Sequence, residues 1–101
     1  MKKIVSLIVI ALPFYAVPVH ASPELAAKSK CMSCHQVDKK MLGPSFKDIA
    51  AKYKGEKDAQ AVLVDSTLHG VKNKWGKIPM PPQKSVDPAD AEKLAAWILS
   101  L

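Results

Sequence analysis

Two cysteines and a histidine within five residues constrain the fold of this chain more than any other feature. They form Cys31-Met32-Ser33-Cys34-His35, and the 101-residue chain has no other cysteine. C-x-x-C-H is the attachment signature of a c-type haem. Cysteines three residues apart lie on one side of a helical turn, so both sulfurs can add to the two haem vinyl groups, and the adjacent imidazole can reach the iron. The motif therefore predicts one haem c per chain, covalently bound through Cys31 and Cys34, with His35 as the proximal ligand.

Three other uses of these cysteines compete with haem attachment. Paired cysteines in an exported protein commonly form a disulfide. A thioredoxin-like redox pair would follow a strand of a βαβ unit, and no strand pattern precedes Cys31. A closed zinc site needs four ligands, and beyond the motif only His69 remains after residue 21. Haem attachment is the prediction that the full motif favours.

The first 21 residues have the pattern of a cleaved export signal. Lys2 and Lys3 precede an apolar run, and Val19-His20-Ala21 is a small-x-small cleavage site. A membrane anchor is the alternative, but prolines interrupt the run, which is shorter than the ~20 residues of a bilayer span. We expect residues 1–21 to be removed, leaving a single domain at 22–101 in the periplasm with no membrane span. So short a domain buries little surface without a cofactor or other staple.

The basic residues argue against nucleic acid as a partner. All fifteen are lysines, two of them lie in the predicted signal, and the nine acids leave residues 22–101 with a net charge of +4. Nucleic-acid binding proteins rely on arginine for bidentate contacts and on aromatics for stacking. Most of these lysines therefore form a solvated surface, and some can steer an acidic protein partner.

Capping residues and apolar spacing predict four short helices and no strand. Ser22, Ser45 and Asp87 are candidate N-caps, followed by Pro23, Asp48 and Pro88 at positions that favour a helix start. The third helix is expected over about 58–68, with Gly70 as its stop. Three helices have a predicted apolar stripe: Phe46, Ile49 and Ala50; Ala61, Val64, Leu68 and Val71; and Ala91, Leu94, Ile98 and Leu101. Residues 72–86 contain Gly76 and several prolines, which predict an irregular segment.

A second axial ligand must come from the opposite face of the haem. Met32 and Met41 are too close to His35 in the chain, whereas Met80 is 45 residues downstream within Ile78-Pro79-Met80-Pro81-Pro82. Prolines stiffen this loop, so a weakly bound thioether loses little entropy on binding. The alternative role of a lone methionine is core filling. His69 is the rival ligand, although its place beside Gly70 at a helix end favours surface exposure. We predict that His35 and Met80 are the metal ligands.

The chain resembles the small bacterial class I cytochromes c of the cytochrome c-551 type over essentially all of residues 22–101. The resemblance is carried by Cys31 to His35, Gly43-Pro44, Trp75-Gly76, the Met80 loop and Leu94-Ala95-Ala96-Trp97-Ile98-Leu99. It implies an all-α fold of four or so short helices wrapped around one covalently attached haem, with histidine and methionine ligands. It also implies that the Pro44 carbonyl accepts a hydrogen bond from His35 and that Trp75 donates to a haem propionate, beyond its alternative role in core packing.

Two positions depart from the family pattern. Members often have asparagine after the Met-Pro-Pro run, where its side chain contacts the methionine sulfur, and this chain has Gln83. Some members also place an arginine near the propionates, and this chain has none. Lysine, Trp75 or water must take that role here.

Two protein ligands on the iron leave no position for a substrate, so the sequence predicts an electron carrier and not an enzyme. The resemblance implies a monomer that takes electrons from a quinol-oxidising complex or another cytochrome and delivers them to a nitrite reductase, a terminal oxidase or a peroxidase. A haem enzyme or gas sensor, which needs an open sixth position, and a thiol–disulfide protein without haem are the alternatives. Six lysines lie in segments expected near the haem edge: Lys30, Lys39, Lys72, Lys74, Lys77 and Lys84.

Overall fold

The computed structural model describes residues 8–11, 13 and 23–101, and within these ranges the fold is all-α. Its four α-helices are α1 (Pro23–Lys28), α2 (Phe46–Tyr53), α3 (Ala59–His69) and α4 (Pro88–Leu99), and a 3-10 turn at Cys31–Ser33 follows α1. The predicted fold class and the number of helices are confirmed. The predicted signal at 1–21 lies mostly outside the described residues, as does the Ser22 cap. Among the described residues, no helix is long and apolar enough to cross a membrane.

Side-chain caps fix the starts of α2 and α4 as the sequence predicts. The Ser45 hydroxyl accepts a hydrogen bond from the Asp48 amide at 3.0 Å, and Asp87 Oδ1 accepts one from the Asp90 amide at 2.8 Å. Pro88 occupies the first turn of α4, where its missing N–H costs nothing. Each such cap is worth ~0.5–2 kcal/mol of stability. The two helices therefore begin where local chemistry dictates.

The apolar stripe predicted for α3 is wrong in part. Ala61 is exposed and Val71 lies beyond the helix, whereas Ala59 and Leu63 are buried. The helix has two apolar faces. Leu63 belongs to one core cluster and also lines a cleft, Leu68 packs against the other cluster, and Val64 packs against both. A single stripe of period 3.6 captures only one of these faces.

The predicted stripes of α2 and α4 match the structure more closely. Phe46, Ile49 and Ala50 are buried in α2, and Tyr53 extends this face by one turn. In α4, Ala91 and Leu94 are buried and Ile98 is half-buried. Leu101 lies after the end of the helix and is exposed, so its predicted place in the stripe is wrong.

Helix α4 joins two small core clusters. Ala95 belongs to a cluster with buried residues of α2 and α3, and Ala91 and Leu94 belong to a second cluster with Ala26 of α1 and Val86. Apolar side chains of α2, α3 and α4 thus form one wall beside these clusters. That wall faces the irregular segment that follows α3.

Candidate functional site

One cleft brings together all six residues that the sequence predicts for the site. Its volume is about 280 Å³, close to the lower end of the ~300–1,000 Å³ range of cofactor and ligand sites. The predicted residues that line it are Cys31, Cys34, His35, Pro44, Trp75 and Met80. Apolar side chains from α2, α3 and α4 form much of the remaining wall: Phe46, Ile49, Leu63, Leu94 and Ile98.

The rival ligands are not among the residues that line this cleft. His69 is exposed at the end of α3, and its Nδ1 lies 2.9 Å from Asp65 Oδ1 one turn earlier. Met41 is 41% exposed, and Met32 packs against the core clusters. The surface position predicted for His69 agrees with the structure.

The Cys31–His35 motif forms a tight turn that directs both thiols to the cleft. Lys30 has a left-handed backbone with φ of 62°, which ends the first helical segment and starts the turn. The amides of Cys34 and His35 then both donate to the Cys31 carbonyl, at 3.2 and 3.0 Å. Both cysteines are partly buried. Before haem attachment, burial raises the pKa of the Cys31 thiol.

The imidazole of His35 is buried and fixed in orientation. Its Nδ1 lies 2.7 Å from the Pro44 carbonyl oxygen, which can only accept, so Nδ1 carries the proton and Nε2 is free to bind a metal. The ring stacks on Phe46 with 5.0 Å between centroids. On another side lies Gly43, where a Cβ atom would come within 2.5 Å of the ring. The hydrogen bond that the resemblance implies is therefore present in the structure.

The Met80 segment is held by backbone hydrogen bonds to the last turn of α3 and to Val71 just after it. Val71 and Met80 form an antiparallel bridge in which each amide donates to the other's carbonyl at 2.9 Å. The Gln83 amide donates to the Thr67 carbonyl at 2.9 Å. These contacts, together with the adjacent prolines, hold Met80 in the wall of the cleft.

Two crossed cation–π contacts tie the end of α2 to the segment before Met80. Lys52 Nζ lies 4.5 Å from the Trp75 ring centroid, and Lys74 Nζ lies 5.1 Å from that of Tyr53. Tyr53, Lys74 and Trp75 all line the cleft. These two lysines therefore lie beside aromatic residues of the cleft. The chain has no arginine that could take this position. The donation from Trp75 to a haem propionate stays a prediction.

Gln83 lines the cleft, but its side chain is engaged by its own loop. Its Nε2 donates to the Pro81 carbonyl at 2.8 Å. Gln83, which stands where family members often have asparagine, thus stabilises the segment that carries Met80. Sequence reasoning did not anticipate this contact, since it depends on how the loop turns after Pro82.

Two buried residues of the cleft lie outside the predicted helix stripes. Tyr53 is not in the stripe predicted for α2, yet it is buried and lines the cleft. Its spacing of four residues from Ile49 on the same helix face is a signal that could have found it. Leu63 carries no comparable signal, because it lies off the predicted α3 stripe.

The donor set fits a c-type haem. Two cysteine sulfurs, an imidazole with its Nε2 free and a thioether belong to residues that line one cleft with a largely apolar wall. The fold and site thus define a small all-α protein built to hold a covalently attached haem.

Comparisons with known proteins agree with this class. The family model for cytochrome c matches residues 20–101. Cytochrome c-552 of Nitrosomonas europaea is 49% identical over 81 residues, covering 80% of this chain and 79% of that protein. Cytochrome c-551 of Pseudomonas denitrificans is 47% identical over 78 residues, covering 77% of this chain and 94% of that one. The crystal structure of wild-type N. europaea cytochrome c552 superposes with a TM-score of 0.78, covering 79% of this chain and 99% of that chain.

This chain belongs to the cytochrome c family. Its cofactor is haem c, which such proteins bind covalently, and its two cysteines are those of the C-x-x-C-H motif. The family assigns it to electron transport.

Proposed function

We propose that this protein is a periplasmic, monomeric one-electron carrier whose haem is held by Cys31 and Cys34 and ligated by His35 and Met80. The observation that carries the proposal is the meeting of His35 and Met80 in one cleft, with the Pro44 bond leaving His35 Nε2 free. The periplasmic location rests on the predicted export signal. When bound, the haem supplies a one-electron couple between ferric and ferrous iron.

The protein's own residues account for a carrier role. His35 and Met80 would both hold the iron, which would leave no coordination site for a substrate, and the bound haem would supply outer-sphere electron transfer. The imidazole orientation is fixed by Pro44 and Phe46, which limits reorganisation when the charge changes. The thioether of Met80 is a soft ligand that favours the ferrous state. Residues of the apolar wall keep water away from the site.

A reductive titration separates this proposal from a haem enzyme, a gas sensor and a thiol–disulfide protein. We expect the purified protein to take up one electron per chain reversibly, to give a pyridine haemochrome spectrum, and to bind carbon monoxide negligibly in the reduced state. Ready carbon monoxide binding would indicate an open sixth position, as in an enzyme or sensor. Absence of any haem spectrum would leave only the thiol–disulfide alternative.

Partner docking is proposed at the mouth of the cleft, where the haem edge would be closest to solvent. Leu42 and Ile78 line the cleft and are 58% and 62% exposed. Lys30 and Lys74 also line it, and Lys77 is exposed beside Ile78. The mouth thus combines an apolar contact area with positive charge. Suitable donors are a quinol-oxidising complex or another cytochrome, and suitable acceptors are a nitrite reductase, a terminal oxidase or a peroxidase.

Ionic strength distinguishes charge steering from apolar docking. If the lysines steer an acidic partner, second-order electron-transfer rates fall as salt rises, because surface charges are screened beyond ~8 Å at physiological ionic strength. Lys77→Gln should then slow the reaction at low salt. The matched control Lys57→Gln changes an exposed lysine that neither lines the cleft nor adjoins a residue lining it, and it should change the rate little. If the rates do not change with salt but fall in Ile78→Ser, apolar contact is the main contribution to docking.

A further inference from the structure

Gly70 adopts a backbone conformation that is essentially restricted to glycine. It follows α3 with φ of 81° and ψ of 173°, and its amide donates to the Ser66 carbonyl at 2.9 Å. A Cβ atom strains the backbone in this region, so it is populated almost entirely by glycine. The sequence predicts Gly70 only as a helix stop, but left-handed αL geometry would serve that purpose. Its extended ψ instead turns the chain towards the Met80 segment.

The space beside Gly70 is filled by the backbone of the Met80 segment. A Cβ atom at position 70 would lie 2.6 Å from the Met80 carbonyl oxygen, 3.0 Å from the Pro82 nitrogen and 3.1 Å from Pro82 Cδ. These atoms belong to backbone and a proline ring, and none is the free end of a flexible side chain. Any side chain at this position would therefore push the segment itself.

The Met80 segment has little freedom to absorb such a push. Its contacts with the end of α3 are the paired Val71–Met80 hydrogen bonds and the Gln83 to Thr67 bond, all at 2.9 Å. Prolines on both sides of Met80 fix φ and restrict adjustment within the loop. A displacement at the Met80 carbonyl must therefore move the Met80 side chain relative to the cleft.

We infer that Gly70 is the positioning residue for the sulfur of Met80. The inference rests on the proposed function, in which that sulfur is the second axial ligand. The lack of a side chain at position 70 lets the Val71–Met80 bridge close, and the bridge sets the distance of the thioether from the opposite wall that holds His35. The atoms nearest to a Cβ at position 70 are backbone and proline-ring atoms of the Met80 segment, so Gly70 acts through the backbone.

The test compares two glycine-to-alanine variants of the haem-loaded protein. Gly55 has φ of 82°, nearly the same as Gly70, but a Cβ atom there would meet nothing within 4 Å. Gly70→Ala and Gly55→Ala should both lower the melting temperature, because alanine is strained at positive φ. Only Gly70→Ala should weaken the sulfur-to-ferric-iron band and bind added imidazole about tenfold more tightly, as expected for ~1.4 kcal/mol lost from Met80 ligation.

Val71→Pro provides a second route if Gly70→Ala does not fold. It keeps Gly70 and removes the N–H that donates to the Met80 carbonyl, so it should weaken the same band and raise imidazole affinity. Equal bands and equal imidazole affinities in Gly70→Ala and Gly55→Ala, or an unchanged band in Val71→Pro, would overturn the inference. Met80→Ala tests the proposed ligand separately from the role of Gly70. Loss of the sulfur-to-ferric-iron band in this variant supports Met80 as the ligand whatever Gly70 does. Retention of the band overturns both the ligand and the role of Gly70.

Discussion

Met80→Ala is expected to abolish the sulfur-to-ferric-iron absorption band while the haem stays attached. The thiols of Cys31 and Cys34 are in a different segment from Met80, so attachment does not depend on the thioether. Losing a soft sulfur ligand removes the preference for ferrous iron, and the reduction potential should fall by on the order of 100 mV, well within the ~0.8 V range that axial ligands span. The variant should also bind carbon monoxide when reduced. Optical spectra and a potentiometric titration measure all three effects.

Matched variants assign these effects to the ligand. Met80→His should keep six-coordination but lower the potential, because nitrogen replaces sulfur. Met41→Leu and His69→Gln should leave the spectrum and potential unchanged, since Met41 is exposed and His69 is paired with Asp65 on the surface. A Met80→Ala protein with the band and potential of the unmodified protein would show that another residue is the ligand.

Replacing both Cys31 and Cys34 by alanine is expected to remove covalent attachment and to destabilise the domain strongly. The two core clusters are small, and apolar side chains of α2, α3 and α4 line the cleft that would hold the haem. A domain this small depends for its stability on a covalent link or a bound cofactor. The melting temperature should fall by more than ~10 °C, since each kcal/mol is worth ~4–8 °C in a domain of this size.

Single variants and a neighbouring control sharpen that result. Cys31→Ala and Cys34→Ala should each keep one thioether and show intermediate stability. Ser33→Ala changes the exposed residue between them and should leave attachment and stability unaltered. If the double variant melts at the temperature of the Ser33→Ala control, the covalent bonds contribute nothing to the fold.

Local chemistry explains which parts of the fold the sequence predicts. Ser45 and Asp87 cap the amides three residues ahead of them, so the starts of α2 and α4 are encoded within one helical turn. The predicted α3 stripe includes Ala61, which is exposed, and omits Leu63, which belongs to a core cluster and also lines the cleft. Periodicity cannot distinguish a face that packs on a core from one that faces a cofactor.

The site likewise combines features encoded in local sequence patterns with features that depend on tertiary contacts. The cysteine motif and the proline loop are local patterns, and their residues do meet in one cleft. The roles of Gly70, Gln83 and Lys74 depend on contacts with segments elsewhere in the chain or on how a loop turns. Their residue types alone indicate a helix stop, a departure from a family pattern and a surface charge. Their roles come from tertiary contacts, which no local sequence pattern predicts.

The intact mass of the purified protein in denaturant tests the central claim most directly. Thioether bonds survive unfolding, whereas coordination by His35 and Met80 does not. The account predicts a chain that retains the mass of one haem after denaturation, with no free thiol at Cys31 or Cys34. A chain that unfolds to the mass of the bare polypeptide, or that carries a Cys31–Cys34 disulfide, would contradict it.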